Sequence, residues 1–166
     1  MTDTPRIQQR SAQTYAGIRT SVTMDGLAGA VDQAFPELFG WLAERDIEVA
    51  AAPFIRYLVI DMQAELEIEL GVPADVRAAD GGRIRPGILP AGRYVVLRHV
   101  GPYDGLVVSN AALLDWARKH ELALDSWETE RGTAWRSRVE HYLTNPAAEP
   151  DPAKWETEIA YLTAGT

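Results

Sequence analysis

The chain has 166 residues, the length of one ordinary domain, and can bury a sizeable core without covalent staples. It has no cysteine, which excludes disulfides, a thiolate nucleophile and thiolate metal sites and fits a reducing compartment. Lys and Arg number 16 against 24 Asp and Glu, a formal charge of −8, and no basic run forms a face that could grip nucleic acid.

The segment Met1-Thr2-Asp3-Thr4-Pro5-Arg6 lacks the basic-then-apolar pattern of a secretory signal. No apolar run approaches the ~18 residues of a membrane span. The expectation is a soluble cytoplasmic protein with neither membrane nor direct nucleic-acid partners, whose acidity mildly favours cationic ligands.

Residues 13–21 read as a strand, and Thr23 is placed to cap a following helix. Between Met24 and Arg45, Leu27, Val31, Phe35, Leu38 and Leu42 form one apolar stripe at helical spacing. Pro36 falls inside it, so the helix either kinks there or a second helix begins. Residues 53–60 read as a strand. Residues 64–70 alternate Glu with apolar groups, as a half-buried strand does. The Pro- and Gly-dense stretch from Gly71 to Gly92 reads as a connector.

The pattern then restarts. Residues 93–100 read as a strand, Gly101-Pro102 as a turn, and Asp104 to His120 as a helix with Leu106, Asn110, Leu113, Leu114 and Ala117 on its buried side. Residues 133–143 read as a strand, 144–154 as a proline-rich loop, and 155–162 as a last strand. Asp25-Gly26-Leu27 matches Asp104-Gly105-Leu106, Tyr57-Leu58 matches Tyr142-Leu143, and Glu65-x-Glu67-Ile68 matches Glu156-x-Glu158-Ile159. The expected fold is therefore α+β. A strand–helix–strand–strand unit occurs twice, at about 13–70 and 93–162, with antiparallel sheets related by a pseudo-twofold axis. The whole chain forms one domain, and a cleft between the halves is a natural ligand site.

No Gly-x-Ser-x-Gly elbow, His-Glu-x-x-His pair, phosphate loop or dinucleotide fingerprint occurs. His99, His120 and His141 make no short metal-ligand pair, so neither metal nor cofactor is expected. Five Trp and six Tyr are more informative. Trp41 and Trp116 read as core. Trp127, Trp135, Tyr142, Trp155 and Tyr161 lie on or beside the closing strands, and Tyr57 is the repeat partner of Tyr142. Aromatic faces stack on planar or cationic ligands.

In a regular strand Arg136, Arg138, Glu140 and Tyr142 share one face, while Trp135 takes the other and needs a bulge or a strand end to join them. That face is either a solvated surface or, with Tyr142 as its roof, the wall of an aromatic cavity. In the second case Glu140 could anchor a cation or act as a general acid or base.

The run from Arg93 to Leu106 resembles the strand–turn–helix entry of the GyrI-like small-molecule-binding family, which includes the effector-binding domains of multidrug-sensing transcription regulators. Glu140-His141-Tyr142, the prolines from Pro146 to Pro152 and Trp155-Glu156-Thr157-Glu158-Ile159 resemble its closing signature. Phe54-Ile55-Arg56-Tyr57 and Glu67 to Pro73 fit its first half.

The resemblance implies a central ligand channel with Glu140 as its buried acid. It implies a binding set of Glu140, Tyr142, Tyr57, Trp135, Ile55, Trp155 and Glu158, and a bulky aromatic or cationic ligand. It also implies a stand-alone sensor or sequestering protein, because the first expected strand begins only about a dozen residues in. Some stand-alone relatives resemble hydrolases that open cyclopropane rings of genotoxic natural products through a glutamate. Others are associated with protecting DNA gyrase from toxins. Whether this chain is an enzyme, with Glu140 as its catalytic residue, stays open at this level, as does any protein partner.

Overall fold

The computed structural model describes residues 3–61, 63–78 and 81–165. Ten strands and two helices follow one another as β1 (Arg6–Arg10), β2 (Gln13–Val22), α1 (Leu27–Glu44), β3 (Phe54–Ile60), β4 (Leu66–Pro73), β5 (Ile84–Leu89), β6 (Gly92–Val100), α2 (Leu106–Lys119), β7 (Ser126–Thr129), β8 (Gly132–Trp135), β9 (Arg138–Tyr142) and β10 (Glu156–Leu162). All pairings are antiparallel, and eight strands run in the order β1-β6-β10-β9-β3-β4-β2-β5. The hairpin β7–β8 joins through β3, and the sheet curls into a half-barrel with two helices, an α+β fold.

Alternation along the strands makes two faces. On one, Ala34, Leu38 and Leu42 of α1 pack with Ile18, Ile55, Ile68 and Leu70. On the same face Leu106 and Leu113 of α2 pack with Val95, Leu97, Trp135, Ile159 and Tyr161. Tyr142 packs against both clusters and so stands where they meet. The opposite face carries smaller clusters, Tyr15 with Phe54, Leu89 and Val139, and Tyr94 with Val96, Ala160 and Leu162.

Most expected elements form, β7 is an unexpected addition, and five further differences follow. The chain's first strand is β1, not the segment from 13, and it pairs with β6 along the sheet edge. Its sequence RIQQR has one apolar residue and is exposed, so it offers no hydrophobic alternation to read. The connector contains β5, which tolerates Pro86 because it is an edge strand paired only with β2. Residues 79–80 of that connector lie outside the described ones. The helix α1 runs through Pro36 without splitting. The carbonyl that loses its donor belongs to Asp32, which is exposed to water. Thr23 caps the turn ahead of α1 instead of the helix itself, its Oγ1 accepting from Gly26 N at 3.2 Å.

The fifth difference shapes the site. The strand expected over 133–143 is two strands, broken at Arg136 and Ser137. β3 pairs with β9 through Phe54–Arg56 and with β8 through Val59 and Ile60, and its own register shifts between Tyr57 and Val59. The break in one strand thus faces the bulge in the other. Its polar groups are met: Arg136 N donates to Asp125 O at 3.0 Å, and Ser137 O accepts from Leu162 N at 2.9 Å.

Two glycines give opposite expectations. A Cβ at Gly71 would stand 2.4 Å from the buried Phe54 ring, whereas a Cβ at Gly29 in α1 meets nothing within 4 Å. Gly71→Ala is expected to destabilise by about 1–3 kcal/mol through overpacking. Gly29→Ala is expected to stabilise by about 0.5–1 kcal/mol through helix propensity. Urea denaturation midpoints moving in opposite directions would check both.

Candidate functional site

The centre of the site is one carboxylate. Glu140 lies on the helix-covered face of β9, opposite Ile55 of β3 and Ile159 of β10, and is only 6% exposed. Strand alternation puts Tyr142 beside it and Tyr57 across from it, and both hydroxyls donate to Oε1, at 2.8 and 2.9 Å. Asn110 of α2 donates from Nδ2 to Oε2 at 2.9 Å and to Leu106 O at 2.8 Å. Tyr161 of β10 donates to Asn110 Oδ1 and thereby orients that amide. One carboxylate thus ties together β3, β9, β10 and α2.

A carboxylate has about four acceptor positions, so three donors leave one open. All three donors are neutral. No Lys, Arg or His nitrogen lies within 4.0 Å of Glu140 among the described residues. An ion buried on neutral donors alone retains much of its desolvation cost, which an incoming cation would relieve.

Burial, and next the Glu140 charge, push the Tyr57 and Tyr142 hydroxyls well above the usual phenol range. Both stay protonated donors at neutral pH. Burial also raises Tyr161, with Arg138 opposing. Glu140 is therefore held by groups that do not release their protons.

Aromatic rings lead from this centre to the surface. Tyr142 meets Phe35 of α1 at 6.5 Å and Tyr103 at 5.6 Å, both edge-on. The half-exposed Tyr103 lies against Trp155 at 4.8 Å, and Trp155 Nε1 donates to Glu149 O at 2.8 Å. On the other side Trp135 packs on Tyr161 at 5.4 Å. The break at 136–137 brings Trp135 to the Glu140 face, where a regular strand would have turned it away. The guanidinium of Arg138 lies 4.7 Å above the Trp135 ring and 4.8 Å from that of Tyr161. Two concavities, of 450 and 380 Å³, lie elsewhere, against Trp41, Ile47 and Val76 and against Val59, Glu65 and Arg131. Glu67, a partly buried acid lining the second, is paired with Arg19, and the arrangement around Glu140 carries more chemistry.

The structure gathers Glu140, Tyr142, Tyr57, Trp135 and Ile55 around one point, with Trp155 at the outer end of the aromatic series. It puts Glu158 elsewhere. Ile159 faces Glu140, so its neighbour Glu158 takes the opposite face, where Arg10 pairs with it and Arg6 approaches to 3.6 Å. Both arginines come from β1, whose weak hydrophobic signal hid the pairing. Asn110, Tyr161, Tyr103 and Arg138 adjoin this cluster, and sequence reasoning did not assign them to it. Asn110 had a signal, a lone amide on the apolar side of α2. Arg138 had one too, since strand alternation puts it on the face of Glu140 and Tyr142, whereas Tyr103 joined only through long-range packing.

His141, next to Glu140 but on the Glu158 face, is held neutral. Burial, reinforced by Arg10 and opposed by Glu158, lowers its pKa from 6.5 to about 4. Stability from this group is present above pH 6.5 and is lost as pH falls toward 4, because the unfolded histidine takes up a proton first. The acid limb of a stability–pH profile is expected to flatten between those values in His141→Gln, as measured by thermal unfolding in a buffer series. An unchanged slope would contradict the assignment.

Comparison with known proteins follows this geometry. A model of the GyrI-like small molecule binding domain matches residues 3–161. No curated protein sequence is significantly similar. Among solved structures, the chain resembles the EcmrR C-terminal domain, with 18% identity, a TM-score of 0.76 and 98% of each chain covered. It spans 58% of the EcmrR chain in the EcmrR–DNA complex. A hydrolase from Listeria innocua is 16% identical, with a TM-score of 0.64 and 96% and 91% of the two chains covered. SAV2435 bound to tetraphenylphosphonium is 13% identical, with a TM-score of 0.60 and 98% and 95% covered.

Proposed function

The chain belongs to the GyrI-like small-molecule-binding family, and we propose that it binds a bulky aromatic cation against Glu140. The observation that carries this reading is the buried carboxylate, held by three neutral donors and, among the described residues, by no cation. A ligand cation would supply the missing charge, and Tyr142, Tyr103, Phe35 and Trp155 would supply ring faces along its path. Tetraphenylphosphonium on SAV2435, a protein of like fold, is a probe of that chemistry.

The pairing pattern supports a tandem origin. Reading outward from the β3–β9 junction, each half continues through its last strand and its first strand to an edge strand. The edge strand that precedes each half pairs with the other half, β1 with β6 and β5 with β2. Ile55 stands to Glu140 as Tyr57 stands to Tyr142, by the same separation in sequence, and Ile55 and Glu140 are direct register partners. In this reading a pseudo-twofold axis passes between Ile55 and Glu140. Two equivalent tyrosines then converge on a carboxylate that only one half carries. The registers Ile18↔Leu70 and Leu97↔Ile159 align the two closing strands two residues away from the match read in the sequence, which keeps every side chain on the same face.

A second reading makes Glu140 the general base of a hydrolase. The two phenols beside it favour this, since they could hydrogen-bond to developing negative charge on a substrate oxygen, keeping their own protons, while the carboxylate takes a proton from water. One variant separates the readings. Glu140→Gln keeps size and removes charge, and should weaken tetraphenylphosphonium binding by about 2–4 kcal/mol, or roughly thirty- to a thousandfold. The neutral analogue triphenylphosphine oxide should lose far less. A hydrolase would instead show Glu140→Gln lowering kcat more than it raises KM on a reactive substrate. Calorimetric titration of both ligands checks the first reading, and equal small losses for both would overturn it.

A further inference from the structure

Beside the Glu140 centre stands a second polar group set that binding of a cation does not use. Trp135 is buried, and its Nε1–H has no hydrogen-bond partner among the described residues. An indole N–H left unpaired in the interior is costly and uncommon. On the ring of the same Trp135 lies the guanidinium of Arg138, half-buried between that face and Tyr161. Arg138 forms no ion pair, since no carboxylate lies within 4.0 Å of it among the described residues.

The guanidinium carbon lies over both rings, and a guanidinium carries five N–H donors along its edges, more than the neighbouring Tyr161 hydroxyl can accept. So a charged guanidinium and an unpaired indole N–H belong to two side chains in contact, with no carboxylate within 4.0 Å of the guanidinium among the described residues. Elsewhere the protein treats its half-buried arginines differently. Arg56 approaches Glu69 to 3.8 Å and donates to Tyr15 and to Arg136 O, and Arg10 pairs with Glu158.

Alternation puts Arg138 and Glu140 on one face of β9, two residues and about 7 Å of strand apart. A planar ligand of three fused rings spans such a distance. We propose that the Trp135–Arg138 pair is a subsite for an anionic or carbonyl oxygen of the ligand, so that the preferred ligand is amphoteric. Its cationic ring system sits at Glu140, and a carboxylate or carbonyl sits about 7 Å away on Arg138 and the indole N–H. This deepens the binding reading above and rests on it.

Rhodamine B tests the idea, because its xanthene ring is cationic and its pendant ring bears a carboxylate. Its ethyl ester keeps the shape and the cation but blocks the acid. Fluorescence anisotropy titrations with purified full-length protein give both affinities. Wild type is expected to bind rhodamine B about tenfold more tightly than the ester, the range of one charge-assisted contact. Arg138→Met should abolish that preference, read as the ratio of the two affinities within each variant, and Arg138→Lys should keep part of it. Trp135→Phe, which keeps a ring and loses the N–H, should reduce the preference by about threefold.

A wild-type protein that does not favour the acid over the ester would overturn the subsite. So would a preference that survives Arg138→Met, or failure of both dyes to bind a protein that binds tetraphenylphosphonium. The Glu140 reading fails separately, when Glu140→Gln leaves both dye affinities unchanged. Thermal unfolding of each variant identifies any that fail to fold, and the Lys and Phe variants then carry the comparison.

Discussion

A buried carboxylate with no cationic nitrogen within 4.0 Å among the described residues is the constraint around which this fold is arranged. Glu140 can stay on an apolar face only if donors reach it from several directions. Tyr57 comes from β3, Tyr142 from β9 itself, and Asn110 from α2 with Tyr161 of β10 behind it. Each donor is right only if its element is in register, so the carboxylate couples strand pairing to the seating of α2. The two helix-side cores meet at Tyr142, the ring that also holds the charge.

The rest of the protein shows how it handles acids when nothing but stability is at stake. Glu158 pairs with Arg10. Glu69 accepts from Tyr15 and lies 3.8 Å from Arg56. Glu67 bonds Arg19, with Arg131 at 3.9 Å. Each of these has an arginine, and Glu140, only 6% exposed, has no arginine nitrogen within 4.0 Å among the described residues. Arg138 shares its strand face and instead lies on the Trp135 and Tyr161 rings. A structural carboxylate could be replaced by an apolar group of similar size with little loss or even a gain. The position opposite, Ile55, is such an apolar group in the same sheet.

Much of this was legible in the sequence because it rests on short-range rules. Period-two alternation put Glu140 and Tyr142 on one face, and the helical stripe of α1 placed Leu38 and Leu42 inward. The Tyr57 and Tyr142 match, together with the family resemblance, pointed to the same cluster. What escaped was set by partners distant in sequence. β1 is polar and exists because β6 offers a free edge. β5 carries a proline that a local reading takes for a loop. The break at Arg136–Ser137 answers a bulge in β3 and inverts the facing of Trp135. Glu158 was misplaced for the same reason, since its arginine partners lie on the unrecognised β1.

The most direct test of the central claim is a crystal structure of the protein with tetraphenylphosphonium. The account predicts the phosphonium against Glu140 on the helix-covered face, with a phenyl group on Tyr142 or Tyr103 and no arginine interposed between cation and carboxylate. Tetraphenylphosphonium bound on the opposite face near Glu158, or in the hollow beside Trp41, with Glu140 still enclosed by its three neutral donors, would contradict it.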